Sequence, residues 1–354
     1  MDLLLHAAVL LLGLTIVIRV LMSAVRTLVL PRGTRDKITS LVFRLVQRLF
    51  RLRAFRATTY EARDRIMALY APVSLFTYFG TLMGLVAIAY VMIFWAMGVE
   101  LYHAFILSGS SLLTLGFESD FHFWVLMLTF SESGIGLTMV AVVIAYLPAM
   151  YTNFSKRESA VTLLEVRAGS PPSAVTMLER THRIHGLEVL PGLFEEWEKW
   201  FSDLEETHTS LVAIVFFRSP KSGRSWVTAA GVVLDCAALY ASTVDMPRNP
   251  RVDLCIRAGY ISLRSIADLF RVTYDVNPHP GDPISVSREE FDTVYDELAA
   301  AGIPLKPDRD QCWHDYAGWR VNYDVPLLAL AAITMAPYAP WISDRSFPGA
   351  RYML

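Results

Sequence analysis

Ser110-Ser111-Leu112-Leu113-Thr114-Leu115-Gly116-Phe117-Glu118-Ser119-Asp120 lies between two long apolar segments, and its reading decides the fold. The stretch is too polar to face hydrocarbon. At membrane depth such irregular backbone is tolerated only where protein buries it or a watery path runs beside it. A threonine followed by a short strand-like run offers a row of backbone carbonyl oxygens to that path. Gly116 can take backbone angles that strain a residue carrying a Cβ, and Phe117 can turn outward as an aromatic cuff. The segment just before, Tyr102 to Leu113, is too short and too polar to cross a bilayer. It fits a half-helix dipping into one leaflet, so the whole reads as a re-entrant loop.

Working outward, Met67–Val99 predicts a span before the loop and Phe121–Tyr151 a span after it, the latter ending near Tyr146-Leu147-Pro148. Leu3–Val25 predicts an earlier span, interrupted only by His6 and by Arg19, which lies near enough to the end to snorkel. Asp2 stands where a signal peptide carries basic residues, so this segment reads as a retained span and not as a cleaved leader. Between the first two spans, Arg26 to Arg65 holds eleven Lys/Arg against three acids, with Arg32 and Arg35 among them. Leu41, Val42, Leu45, Val46, Leu49 and Phe50 recur there at helical spacing, with Arg44, Arg48 and Arg51 on other faces. That is a basic amphipathic helix suited to anionic lipid headgroups over residues 26–65, and its place between spans argues against nucleic acid as the partner. The positive-inside rule puts it in the cytoplasm, and Lys156 and Arg157 after the last span agree. The N-terminus is then outside and the C-terminal part cytoplasmic, in a cell inner (plasma) membrane.

The 354 residues are 54% hydrophobic with a mean hydropathy of +0.38, high for a soluble chain and low for one wholly in a membrane. A membrane part joined to a soluble part follows. Cys236, Cys255 and Cys312 lie far apart without a Cys-x-x-Cys pair, which suggests buried thiols in a reducing compartment. From Ser159 onward the pattern is helical at Ser159–Ala168, Ser173–His185, Leu193–Thr207, Trp226–Val244, Asp253–Phe270, Arg288–Ala301 and Pro307–Tyr338. Leu211–Phe217 reads equally as a strand or a buried helical turn. Trp197, Trp200 and Phe201 are spaced for one core-facing helix side.

Residues 67–158 resemble the pore module of the potassium-channel superfamily, in its bacterial two-transmembrane form. The family filter runs Thr-x-Gly-Tyr/Phe-Gly, often followed by Asp; here Thr114-Leu115-Gly116-Phe117-Glu118 stands in its place, with Asp120 beyond. Ser133-Gly134-Ile135-Gly136-Leu137 is similar to the glycine-bearing inner helices of that superfamily. The resemblance implies a homotetrameric pore-loop channel with a re-entrant pore helix per subunit; with the spans and helices read above, the expected fold is an all-α membrane protein with three spans per subunit and a mainly helical cytoplasmic C-terminal domain. It implies filter carbonyls from Thr114 to Glu118, support from Ser110, Ser111, Asp120 and Glu132, a gating hinge at Gly134 or Gly136, and permeating monovalent cations, K+ or Na+, with no cofactor. The organisation expected is residues 1–25 as a first span, 26–66 as the basic helix, 67–158 as the pore and 159–354 as the cytoplasmic domain.

Two acids leave alternatives. Glu118 replaces the second filter glycine. Four copies would form a carboxylate ring at the outer mouth, unless each turns back to bond the pore helix. Glu132 either braces the loop from behind through Ser108, Ser110 or Ser111, or faces a cavity as a cation site. His103 and His122 flank the loop. In the soluble part, Glu179-x-x-His182 and Glu205-x-x-His208, with Glu195 and Glu198, resemble a di-metal bundle pattern, though solvated helix faces explain them as well. No phosphate loop, catalytic triad or Cys/His pair occurs, so no enzyme, resident metal or cofactor is expected. The competing functions are a non-conducting membrane sensor or scaffold that keeps the channel fold, and a membrane-tethered metalloenzyme.

Overall fold

The computed structural model describes residues 2–30, 36–120 and 122–345, and among them the chain is helical, with one isolated bridge between Val244 and Leu305. Arg32 and Arg35 of the basic stretch, and Phe121 at the expected start of the third span, lie outside these residues. In chain order the helices are α1 (Asp2–Ala24), α2 (Lys37–Ala54), α3 (Tyr60–Ala68), α4 (Tyr70–Ala96), α5 (Leu101–Leu112), α6 (Phe123–Ala168), α7 (Ala174–His185), α8 (Leu190–Ser210), α9 (Trp226–Thr243), α10 (Pro250–Leu269), α11 (Arg288–Ala300), α12 (Arg309–Arg320) and α13 (Asp324–Thr334). They form two compact units, residues 1–56 with 69–152, and residues 57–68 with 153–354.

Among the described residues four helical stretches are long and apolar enough to cross a membrane: Leu3–Leu28, Tyr60–Ala96, Phe123–Ala168 and Trp226–Thr243. The sequence reading expected the first three and placed the fourth in the soluble part. Burial separates them, because only 22%, 33% and 22% of the first three windows is covered by protein, against 94% of the fourth. An apolar helix needs an apolar surrounding. In α9 the neighbouring helices supply it. In the other three, side chains such as Leu11, Phe76, Ile88, Leu137 and Ile144 are left bare.

The first unit is built on α4, against which α1, α2 and α5 pack. His6 of α1 stacks on Trp95 at 4.8 Å. At the other end of α1, Ser23 Oγ donates to Asp36 Oδ2 at 2.6 Å and lies 3.1 Å from the Tyr78 hydroxyl. The same Asp36 carboxylate caps α2 by accepting from the Ile38 and Thr39 amides at 2.8 and 3.0 Å. Along α2, Val42, Val46 and Gln47 are buried, while Leu41, Leu45, Leu49, Leu52 and Phe55 stay exposed among Arg44, Arg48, Arg53 and Arg56. The basic stretch is not one helix: α3 belongs to the second unit. Arg218 holds it there, donating to Asp64 Oδ1 at 2.5 Å, to the Tyr60 hydroxyl at 3.2 Å and to the Thr334 carbonyl at 2.5 Å.

Helix α6 continues unbroken through Pro148 to Ala168, so the expected stop near Tyr146-Leu147-Pro148 and a separate helix from Ser159 are corrected. A proline deletes one backbone donor. Here burial of Tyr146 and Met150 in the first unit and of Val161 and Leu164 in the second outweighs that loss. The expected helix Pro307–Tyr338 is instead α12 and α13, separated by a turn. Pro326 cannot donate an amide to the Asn322 carbonyl, which accepts from Arg264 Nε at 2.8 Å instead. The ambiguous segment Leu211–Phe217 is a 3-10 turn over Val212–Phe216.

The core of the second unit surrounds α9, whose residues are nearly all buried. Trp197, Trp200 and Phe201 lie in that core, with the Trp197 and Trp200 rings edge to face at 4.6 Å. At its centre the buried Arg320 guanidinium bridges both Asp235 oxygens at 2.5 and 2.6 Å, Asp324 Oδ1 at 2.7 Å and the Trp341 carbonyl at 2.6 Å. Tyr323 Oη donates to Asp235 at 2.9 Å and Ser285 Oγ to Asp324 at 2.6 Å. The paired charges and satisfied lone pairs make this burial tolerable.

Candidate functional site

Helix α5 has twelve residues, a length of about 18 Å at 1.5 Å per residue, against a hydrocarbon core of roughly 30 Å. Its C-terminus does not fray into extended chain. The Thr114 amide donates to the Ser111 carbonyl at 3.0 Å and the Leu115 amide to the Ser110 carbonyl at 2.8 Å. Thr114 (φ 54°) and Gly116 (φ 72°) both take left-handed backbone, tolerated by glycine and costly for threonine. Thr114 Oγ1 donates to the Leu113 carbonyl at 2.7 Å.

Three serines tie the loop down. The buried Ser110 hydroxyl accepts from the Glu118 amide at 3.2 Å and lies 3.4 Å from its carbonyl, so the far end of the loop is latched back to α5. Ser133 Oγ of α6 donates to the Ser111 carbonyl at 2.8 Å. Ser108 Oγ donates to Glu132 Oε1 at 2.5 Å and sits 3.2 Å from the Ala87 carbonyl. Glu132 is fully buried, and its Oε2 has no hydrogen-bond partner among the described residues. Of the three serines expected to meet Glu132, only Ser108 does. Ser110 serves Glu118, and Ser111 Oγ donates to the Leu107 carbonyl at 2.7 Å. Next to Glu132, Ser131 Oγ lies 2.8 Å from the Tyr90 hydroxyl of α4. The backbone latches made by Ser110 and Ser133 were not legible in the sequence. Their only signal there was a cluster of small polar residues on both apolar segments flanking the loop.

The acids at the far end of the loop turn toward protein. Glu118 Oε1 lies 3.5 Å from His103 Nδ1 of α5. Asp120 Oδ1 accepts from the His122 amide at 2.8 Å and so closes a turn before α6. Around them Leu113, Leu115 and Phe117 are exposed by more than half in the isolated chain. Helix α6 runs straight through Gly134 and Gly136. The two glycines differ: a Cβ on Gly136 would lie 2.1 Å from the Leu112 carbonyl oxygen, and one on Gly134 would meet nothing within 4 Å.

In the second unit His208, Glu205 and Glu195, among the residues of the Glu-x-x-His pattern, make structural contacts. His208 is buried: its Nδ1 lies 2.9 Å from the Leu204 carbonyl and its Nε2 3.1 Å from Arg157 Nη1. Nδ1 is then the donor and Nε2 the acceptor. Burial, reinforced by the adjacent guanidinium, holds this imidazole well below its ordinary pKa. Arg157 also donates to Glu158 Oε1 at 2.9 Å and to the carbonyls of Ile214 and Phe217 at 3.0 and 2.8 Å. Glu205 accepts from Ser265 Oγ at 2.7 Å, and Glu195 pairs with Arg251 at 3.1 Å. Among the described residues no group of three or more His, Cys, Asp or Glu is placed to hold a metal ion, so the Glu-x-x-His pairs are not brought together. The C-terminal part of α6 and α3 meet one short segment, since Arg157 grips the carbonyls of Ile214 and Phe217 while Arg218 grips Asp64.

No family model, curated protein or solved structure matches this chain.

Proposed function

We propose that the chain is one subunit of a homotetrameric cation channel in a cell inner (plasma) membrane, crossing it through α1, α4 and the first part of α6. The N-terminus is outside and the second unit cytoplasmic. The observation that carries this reading is the twelve-residue α5 followed by a loop with left-handed Thr114 and Gly116, latched by Ser110 and Ser133 and backed by the buried Glu132. A span-length apolar helix on each side of a half-length helix and a fastened polar turn is what a re-entrant filter requires. Carbonyl oxygens from Thr114 to Gly116 replace the hydration shell of K+ or Na+. Four copies are needed, because one loop cannot surround an ion, and the bare Leu113, Leu115 and Phe117 side chains find their neighbours in the other copies. Glu118 faces His103 in the single chain, so its carboxylate shapes the mouth from the side of α5. The exposed leucines and arginines of α2 rest on anionic headgroups.

Reconstitution into liposomes with a K+ or Na+ gradient tests the proposal. Cation flux is expected, and Thr114→Ala is expected to abolish or alter it. A monomer in lipid bilayers, or flux identical in Thr114→Ala, overturns it.

A further inference from the structure

We propose that the second unit binds a small anion carrying a planar ring, of nucleotide size, in the cleft between the C-terminal end of α9, the start of α10 and one face of α12. The cleft measures about 500 Å³, within the range of small-molecule sites. Its walls have an imbalance of hydrogen-bonding groups. Each acid already holds a donor: Asp253 Oδ2 accepts from Arg248 at 2.6 Å, and Asp315 Oδ1 accepts from Gln311 Nε2 at 2.7 Å. The ring donors are not. Tyr240 Oη, Tyr260 Oη and Trp319 Nε1 line the cleft and have no hydrogen-bond partner among the described residues. Lys306 Nζ uses two of its three protons on the Ala241 and Ser242 carbonyls, at 2.8 and 3.2 Å, and keeps one. A cleft in which both carboxylates already hold a donor, while three ring donors and one lysine proton stay unpaired, calls for a ligand rich in acceptors, as a phosphate or carboxylate is. The aromatic walls select a flat partner. The outer part of Tyr260 already carries Arg264 at 4.9 Å from its ring centroid, whereas the Trp319 indole makes no ring contact among the described residues and is the free stacking surface.

This site does not rest on the pore reading, and it is tested by binding alone. Full-length protein in detergent micelles is titrated calorimetrically with AMP, adenosine and orthophosphate. AMP is expected to bind saturably, adenosine more weakly and orthophosphate not at all. Tyr260→Phe, which keeps the ring and removes only the donor, is expected to weaken AMP about fivefold, the worth of one hydrogen bond. Trp319→Leu is expected to weaken it at least as much. The absence of saturable AMP binding, equal affinity for AMP and either fragment, or an unchanged affinity in a Tyr260→Phe protein that unfolds like wild type overturns the proposal.

Discussion

Gly136→Ala sets two accounts of the α6 glycines against each other. The new Cβ would stand 2.1 Å from the Leu112 carbonyl oxygen, where ordinary contact begins near 3.4 Å, so α5 or α6 must retreat by roughly 1.3 Å. The atom struck is backbone, so no side chain can swing away. Leu112 is the last residue of α5, and the loop starts at the next residue. Overpacking of this kind costs about 1–3 kcal/mol, and the displacement is delivered to the Ser111 carbonyl that Ser133 holds. Gly134→Ala is the internal control. Nothing lies within 4 Å of its added methyl, and alanine in place of a helical glycine gains up to about 1 kcal/mol. Thermal unfolding of both purified variants, with liposome flux beside it, is the assay. Gly136→Ala is expected to lower the midpoint and the flux, and Gly134→Ala to match or exceed wild type in stability. A Gly136→Ala protein as stable as wild type refutes close approach as the reason for that glycine. Reduced flux with undiminished stability in Gly134→Ala is instead the signature of a hinge there.

Three further expectations concern buried polar groups. Glu132→Gln keeps an acceptor for Ser108, whereas Glu132→Ala removes it; the alanine variant is expected to be less stable than the glutamine variant by about 1–3 kcal/mol, read from paired thermal melts, and equal melts would deny Glu132 a bracing role. Arg320→Met strands the Asp235 and Asp324 carboxylates in the core, so a loss of about 3–5 kcal/mol is expected in chemical denaturation followed at the second unit, and a loss under half that would mean the aspartates find other partners. His208 titrates lower folded than its ordinary 6.5. As pH falls below 6.5 the unfolded chain therefore takes up the proton first, and stability present above 6.5 declines. The decline is expected to be shallower in His208→Gln, and pH-resolved melting curves with the same slope for both proteins would exclude this histidine as the cause.

The apolar spans, the half-length α5, the amphipathic α2 and most helices of the second unit were legible along the chain. Each depends on neighbours in sequence: a run of about twenty apolar residues, a 3.6-residue period, or a turn of Gly and Pro. The same local logic marked Thr114–Glu118 as the stretch to watch and Trp197, Trp200 and Phe201 as core. It failed at Pro148, where a local stop signal was overruled by burial on both sides, and at Pro307–Tyr338, where a continuous period hid a turn. It placed α9 in the soluble part, but the covering of that helix, 94% of its window, came only from the structure, because composition records how apolar a surface is and not what covers it.

What the sequence alone determined is the inventory of elements and the chemical character of each, since these follow from residues within one or two turns of each other. Only the tertiary structure decided the partnerships. Ser108 meets Glu132, Ser110 meets Glu118, Asp64 meets Arg218, and Asp235 meets Arg320 across 85 positions. The physical reason is that a buried polar group is stable only beside a complementary one. Which complement it finds is set by how helices pack, a choice distributed over the whole core.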